Sequence, residues 1–323
     1  MVCGRDMAIE SLQSGAMSKQ KVADILVFCS VAAANGSNLS LKELIQLTSL
    51  EMSEEQLEKA WYSESVLFSR YEISSGFVID KRTGSTGNEP KEEREFRAES
   101  NISYATKFAK QVSTPRLSMI SISGSTSYRS VSRQDDLDFF CIAKKDALWI
   151  FLTKALLRAR LFRMRDRNAP WLCLSYVIDE AYAKREFSRP QDALFARDAI
   201  SAIVLKGEKY YDSLLANCGW MRWYFPRMYD ERVSKDDDTR GGISVNVRGN
   251  SFFEREFNSL LYLTVGTYIR IKSSLLNRKF RRTGQKSRFF TLRIGRNHCI
   301  YESMSYRELR RMYSLLERNE ELE

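Results

Sequence analysis

The sequence has one histidine, five prolines and no two cysteines within 25 residues of each other. His298 alone cannot supply a three-histidine zinc site or a His-x-Glu deaminase site. Any Ser-His-Asp machinery would have to run through that one residue. Cys3, Cys29, Cys141, Cys173, Cys218 and Cys299 include no C-x-x-C pair, which excludes a zinc knuckle or a dithiol motif of that spacing. Separate buried thiols in a reducing compartment are the expectation. Long apolar runs are also missing: the nearest approach, Leu260–Ile269, stops at Arg270, about half the ~20 residues that cross a bilayer. The first 18 residues mix Arg5, Asp6 and Glu10 with small polar residues and lack the apolar stretch of a signal peptide. The cytoplasm is the expected location, with no membrane partner.

What is present describes a soluble globular chain. Of 323 residues, 43% are hydrophobic and 28% charged, and the length accommodates two or three domains. The net charge of +10 is unevenly distributed. Residues 19–82 carry seven Lys/Arg against nine Asp/Glu, whereas residues 270–318 carry fourteen against three. Such a block, with Arg278, Lys279, Arg281, Arg282, Lys286, Arg288, Arg293 and Arg296, suits the phosphates of RNA or a nucleotide. A solvated helical face is the alternative.

Helical spacing over Lys19–Ala34 ends at Asn35-Gly36. Ser40 and Glu43 form a capping box for a second helix, and Ser53 begins a third. Two β-like runs follow, Val66–Tyr71 and Phe77–Asp80. Three helices and a hairpin predict a winged-helix-like domain over 19–80. Its acidic balance favours protein docking or a structural role over DNA binding. Residues 81–112 read as a polar linker and a connecting helix.

From Arg116 the pattern becomes strand, Gly-Ser, strand (Asp136–Ala143), a helix capped by Asp146, then a strand over Trp171–Ile178. This predicts an α/β core with a small mixed sheet over 113–188. Residues 189–323 read as a mainly helical, basic C-terminal region, with helices over Gln191–Leu205, Glu208–Asn217 and Phe252–Asn277. Trp220, Trp223, Tyr224 and Phe225 read as packing around Pro226, with base stacking as the alternative.

Asp136, Leu137 and Asp138 lie on one predicted strand, where a period of two turns both carboxylates to one face. Paired hard oxygen ligands suit a Mg²⁺ ion bound to nucleotide phosphates. Eleven residues earlier, Gly124-Ser125 closes another strand. There glycine permits close backbone approach, and exposed amides with a hydroxyl can hold phosphate oxygens.

The run SISGSTSYRSVSRQDDLDFFCIA resembles the signature of the nucleotidyltransferase fold of the DNA polymerase beta superfamily. In that signature Gly-Ser precedes two metal-binding aspartates by about ten residues. The chain is also similar, in DALWIFLTKALL, WLCLSYVIDE, ARDAISAIVLKGEKYY and LLANCGWMRWYFP, to prokaryotic nucleotidyltransferase-domain proteins with a winged-helix-like front end. The resemblance implies transfer of a nucleoside monophosphate from an NTP, ATP foremost, to a hydroxyl of a protein, an RNA or a small molecule. It assigns Asp136 and Asp138 to Mg²⁺ or Mn²⁺, Gly124 and Ser125 to the β and γ phosphates, and Arg129 to the triphosphate. The third carboxylate usual on the next strand has no plain counterpart. Ser175 and Cys173 hold the middle of WLCLSYVIDE, and Asp179 shares the strand parity of Ser175, making it the candidate base. The alternative is a catalytically inactive module that binds nucleotide or RNA.

Overall fold

The computed structural model describes residues 17–34, 38–48, 50, 52–81, 91–129, 131, 133, 135–234, 252–284, 289–304, 306–307 and 310–311. The chain divides into two compact units, one of residues 1–90 with 225–227 and 308–323, the other of residues 91–224 and 228–307, so that the first two residues of the helix Pro226–Ser234 count with the first unit.

The first unit runs α1 (Lys19–Ala34), β1 (Leu39–Ser40), α2 (Leu41–Thr48), α3 (Glu54–Ser63), α4 (Ser65–Arg70), β2 (Tyr71–Ser74) and β3 (Phe77–Asp80). Its sheet is antiparallel in the order β1-β3-β2. The Ser40–Glu43 capping box forms as expected: the Ser40 amide donates to the Glu43 carboxylate at 2.9 Å, and the Glu43 amide donates to Ser40 Oγ at 3.2 Å. Ser53 and Gln56 repeat the device on α3. Ile25, Leu44, Leu57, Trp61, Leu67, Tyr71 and Val78 form the core. One expectation needs correction, because Val66–Arg70 is helical and the strand begins only at Tyr71. A run as short as Val66-Leu67-Phe68 carries no decisive period, and the helix buries Leu67 while exposing its neighbours. The Asn35-Gly36 stop and most of the polar linker lie outside the described residues.

The second unit runs α5 (Lys91–Val112), β4 (Leu117–Ser123), α6 (Gly124–Ser127), β5 (Leu137–Ala143), α7 (Leu148–Arg165), β6 (Leu172–Asp179), α8 (Glu180–Phe187), α9 (Ala193–Ser201), β7 (Ile203–Lys206), α10 (Glu208–Ala216), α11 (Pro226–Ser234), α12 (Phe252–Arg282), β8 (Phe290–Gly295) and β9 (His298–Ser303). Six strands form a mixed sheet in the order β7-β4-β5-β6-β9-β8, parallel only between β5 and β6. The alternation along β5 sends Leu137, Phe139 and Cys141 into one core with Phe108 of α5 and Trp149, Phe151 and Leu152 of α7. The intervening Phe140 enters a second, aromatic layer, meeting Tyr176, Phe187 and Tyr211 at 5.2, 6.0 and 5.8 Å between ring centres. The sheet is thus covered on both faces, the arrangement of an α/β class protein.

The C-terminal region is not simply helical. It supplies β7, β8 and β9, half of the sheet, so a core bounded at residue 188 omits strands that complete it. Ile203-Val204-Leu205 leaves the helical spacing after Ser201 because its β-branched residues pair with β4 instead. Asp146 is not the cap of α7. It takes a left-handed backbone (φ 58°), and Ala147 stands at the cap position. Asn258 of α12 takes over that role, its Oδ1 accepting from the Trp149 amide at 2.8 Å. Among the described residues no helix is long and apolar enough to cross a membrane.

Candidate functional site

β4 and β5 are antiparallel neighbours with Ser123 opposite Asp138, so the residue that follows β4 meets the carboxylate near the start of β5. That residue is Gly124, at φ +65°, a conformation that side chains with a Cβ adopt only at a cost. A Cβ here would lie 2.9 Å from Asp138 Oδ2. Glycine is therefore required twice, by the backbone and by the carboxylate packed against it. The short turn α6 is fixed from below, where Asn101 Nδ2 donates to Thr126 Oγ1 at 3.2 Å with both residues buried. Ser127 Oγ donates to the Gly124 carbonyl at 2.8 Å. Beyond the turn, Tyr128 donates to Asp198 and accepts from Arg197 Nε at 3.0 Å, tying the segment to α9.

Asp136 was expected on the strand but stands just before β5 and is exposed, while Asp138, one residue into the strand, is half-buried with its carboxylate against Gly124. Burial first, and then the Asp136 charge, push the Asp138 carboxyl up to about 7. Hydrogen bonds from Ser175 and Cys173 oppose that rise, and Asp135 adds to it. Cys173 lies directly opposite Asp138 in the parallel β5/β6 register. Burial and the two aspartates raise the Cys173 thiol as well. Asp135 is thus the neighbour that sequence reasoning passed over, although the run of acids in QDDLD pointed to it. Cys173 was already placed with Ser175 in the middle of WLCLSYVIDE, and the strand register sets it directly opposite Asp138.

The structure brings Gly124, Asp136 and Asp138 together, with Ser125 in the same turn, but it does not bring Asp179 to them. Asp138 pairs with Cys173 and Phe140 with Tyr176, so β6 spends three residues where β5 spends two. This irregularity reverses the parity on which the Asp179 expectation rests. Asp179 sits opposite Ala143, five residues along β5 from Asp138. There it is buried and caps α8, its Oδ1 accepting from the Tyr182 amide at 2.8 Å. Arg129, just past α6, forms an exposed ion pair with Glu99 at 2.6 Å. His298 is half-buried against the Tyr182 ring and bonds Asn297. Trp220 is packed, its indole donating to the Phe187 carbonyl at 2.9 Å, whereas Trp223 is exposed.

Among the described residues no group of three or more His, Cys, Asp or Glu side chains is arranged to hold a metal. The donor chemistry still fits Mg²⁺, which is bound through one or two carboxylates together with substrate phosphates and water. Asp136 and Asp138 are two such carboxylates, the charge of the first raising the pKa of the second. Fold and site define a mixed α/β protein in which a glycine turn is seated against an aspartate pair. No known family, curated protein or solved structure matches the chain.

Proposed function

We propose that the second unit is a nucleotidyltransferase core of the DNA polymerase beta type and that the chain transfers a nucleoside monophosphate from an NTP to a hydroxyl. The observation that carries this reading is the close approach of Gly124 to Asp138, which sets bare backbone beside a carboxylate whose neighbour is a second aspartate, Asp136. In this reading Asp136 and Asp138 hold Mg²⁺, which neutralises triphosphate charge when bound. The amides and hydroxyl of Gly124-Ser125 receive phosphate oxygens. Arg129 reaches the triphosphate by exchanging Glu99 for phosphate. With Ser175 and Cys173 as the β6 neighbours of Asp138, the rate comes from alignment and charge neutralisation. The helices and antiparallel sheet of the first unit are read as a winged-helix-like accessory domain.

Those same β6 residues support a second reading, a module that binds nucleotide without transfer, because the position for a proton-accepting carboxylate holds a hydroxyl and a thiol. Both readings are tested by label transfer from α-³²P NTPs with Mg²⁺ or Mn²⁺ into the protein itself and into fractionated cell extract. The expected result is transfer with the intact protein and its loss in Asp136→Ala, Asp138→Ala and Gly124→Ala. The last substitution strains a left-handed residue by about 1–2 kcal/mol and pushes a methyl against Asp138 Oδ2 while keeping both carboxylates. Metal-dependent NTP binding without transfer would select the second reading, and absence of both would remove the two together.

A further inference from the structure

α12 is buried along one side only. Asn258, Gly266, Ile269 and Ser273 face inward, and Gly266 lies 3.4 Å from the Trp149 ring for any Cβ placed there. The opposite side is as apolar as the buried one. Phe253, Phe257, Leu260, Tyr268, Ile271 and Leu275 are each 52–82% exposed. With Thr264 they recur at intervals of 4, 3, 4, 4, 3 and 4 residues. That spacing tracks a straight helix, so the seven positions form one narrow stripe about 33 Å long. Leu263 flanks it on one side, also exposed. Together these side chains expose on the order of 1,000 Å², beyond the ~300–600 Å² of the largest patch on a typical monomer and enough for the ~800 Å² per partner of a standard interface.

We infer that this stripe pairs with the same stripe of a second copy of the chain, with the two helices antiparallel and Thr264 on the two-fold axis. The order of the residues carries the inference. Counted outwards from Thr264, the stripe reads the same in both directions: Leu260 mirrors Tyr268, Phe257 mirrors Ile271 and Phe253 mirrors Leu275. A two-fold interface demands this, because residue i must meet j while j meets i. Every apolar residue then meets an apolar one. Thr264 suits the axis, since its hydroxyl is satisfied by the Leu260 carbonyl at 3.0 Å and its methyl is free to pack. Charge selects the direction. Glu254, which is held by Arg116, and Glu256 flank Arg255 at the start of the helix, while Arg270, Lys272, Arg278, Lys279, Arg281 and Arg282 lie in its second half. Antiparallel pairing sets acids beside bases; parallel pairing would stack the cations of two copies.

Light scattering during size exclusion of the full chain is expected to give twice the chain mass, and Phe257→Asp/Ile271→Asp to give the single mass with unchanged circular dichroism. A Leu260→Cys copy oxidised together with a Tyr268→Cys copy is expected to yield mixed disulfide dimers in large excess over either self-linked species. A single-mass wild type, a double mass that survives Phe257→Asp/Ile271→Asp, or self-linking by Leu260→Cys alone would each overturn the pairing. A single-mass wild type retained by anionic vesicles would also assign the stripe to a lipid surface.

Discussion

Burial and the charge of Asp136 hold the Asp138 carboxyl at about 7, well above the ordinary carboxylate range, and the consequence for stability has a definite sign. Below about pH 4 the group is protonated in folded and unfolded chains alike. Between pH 4 and 7 the unfolded chain releases that proton while the folded chain keeps it, so stability falls as pH rises and the full cost is present above pH 7. Asp138→Asn is therefore expected to stabilise the protein by on the order of 2–4 kcal/mol at pH 8 and by little at pH 4, as read by urea unfolding. An equal gain at both pH values would show that the side chain acts through packing, not charge. The motif itself was legible in the sequence, because Gly124 follows, Asp136 precedes and Asp138 lies within short segments whose strand character is strong. The environment of Asp138 was not legible, since it depends on which β6 residue lies opposite.

At the scale of elements, the joint between α7 and α12 offers a clean test. The Asn258 side chain satisfies the first amides of α7 across 109 residues of sequence, in a buried position. Asn258→Ala removes that acceptor and leaves a buried amide unpaired. A loss of about 1–2 kcal/mol in chemical denaturation is expected. A neutral result would mean that water or the Asp146 turn caps the helix. Local signals predicted α1, α3, α5, β4 and β5 well, because each is long or strongly patterned. They failed where a distant partner decides: the cap of α7, the strand character of Ile203–Lys206, the pairing of β9 with β6, and the irregularity in β6 that turns Asp179 away. One extra residue in a strand is invisible to a parity argument, yet it moves every later side chain to the other face.

For the whole molecule, the uneven charge is the property that reaches furthest. Arg278, Lys279, Arg281 and Arg282 are exposed at the end of α12, within the basic stretch 270–318. If that stretch meets an RNA acceptor, affinity falls as salt rises, with a log-log slope of about −0.7 per phosphate contact. Replacing those four residues by alanine is expected to flatten the slope by about 3 units, measured by fluorescence anisotropy between low and physiological salt. Binding indifferent to salt would remove RNA as a partner of this surface. The sheet carries a different consequence, one of timing. β6 lies between β5 and β9, and β9 is joined to it across more than a hundred residues of chain. During synthesis the ribosome delivers LCLSYVID long before its outer neighbour exists, so the nascent sheet waits with an apolar strand edge unpaired. A message truncated before codon 298 would yield a product fixed in that state, and such open edges are where newly made chains associate with one another.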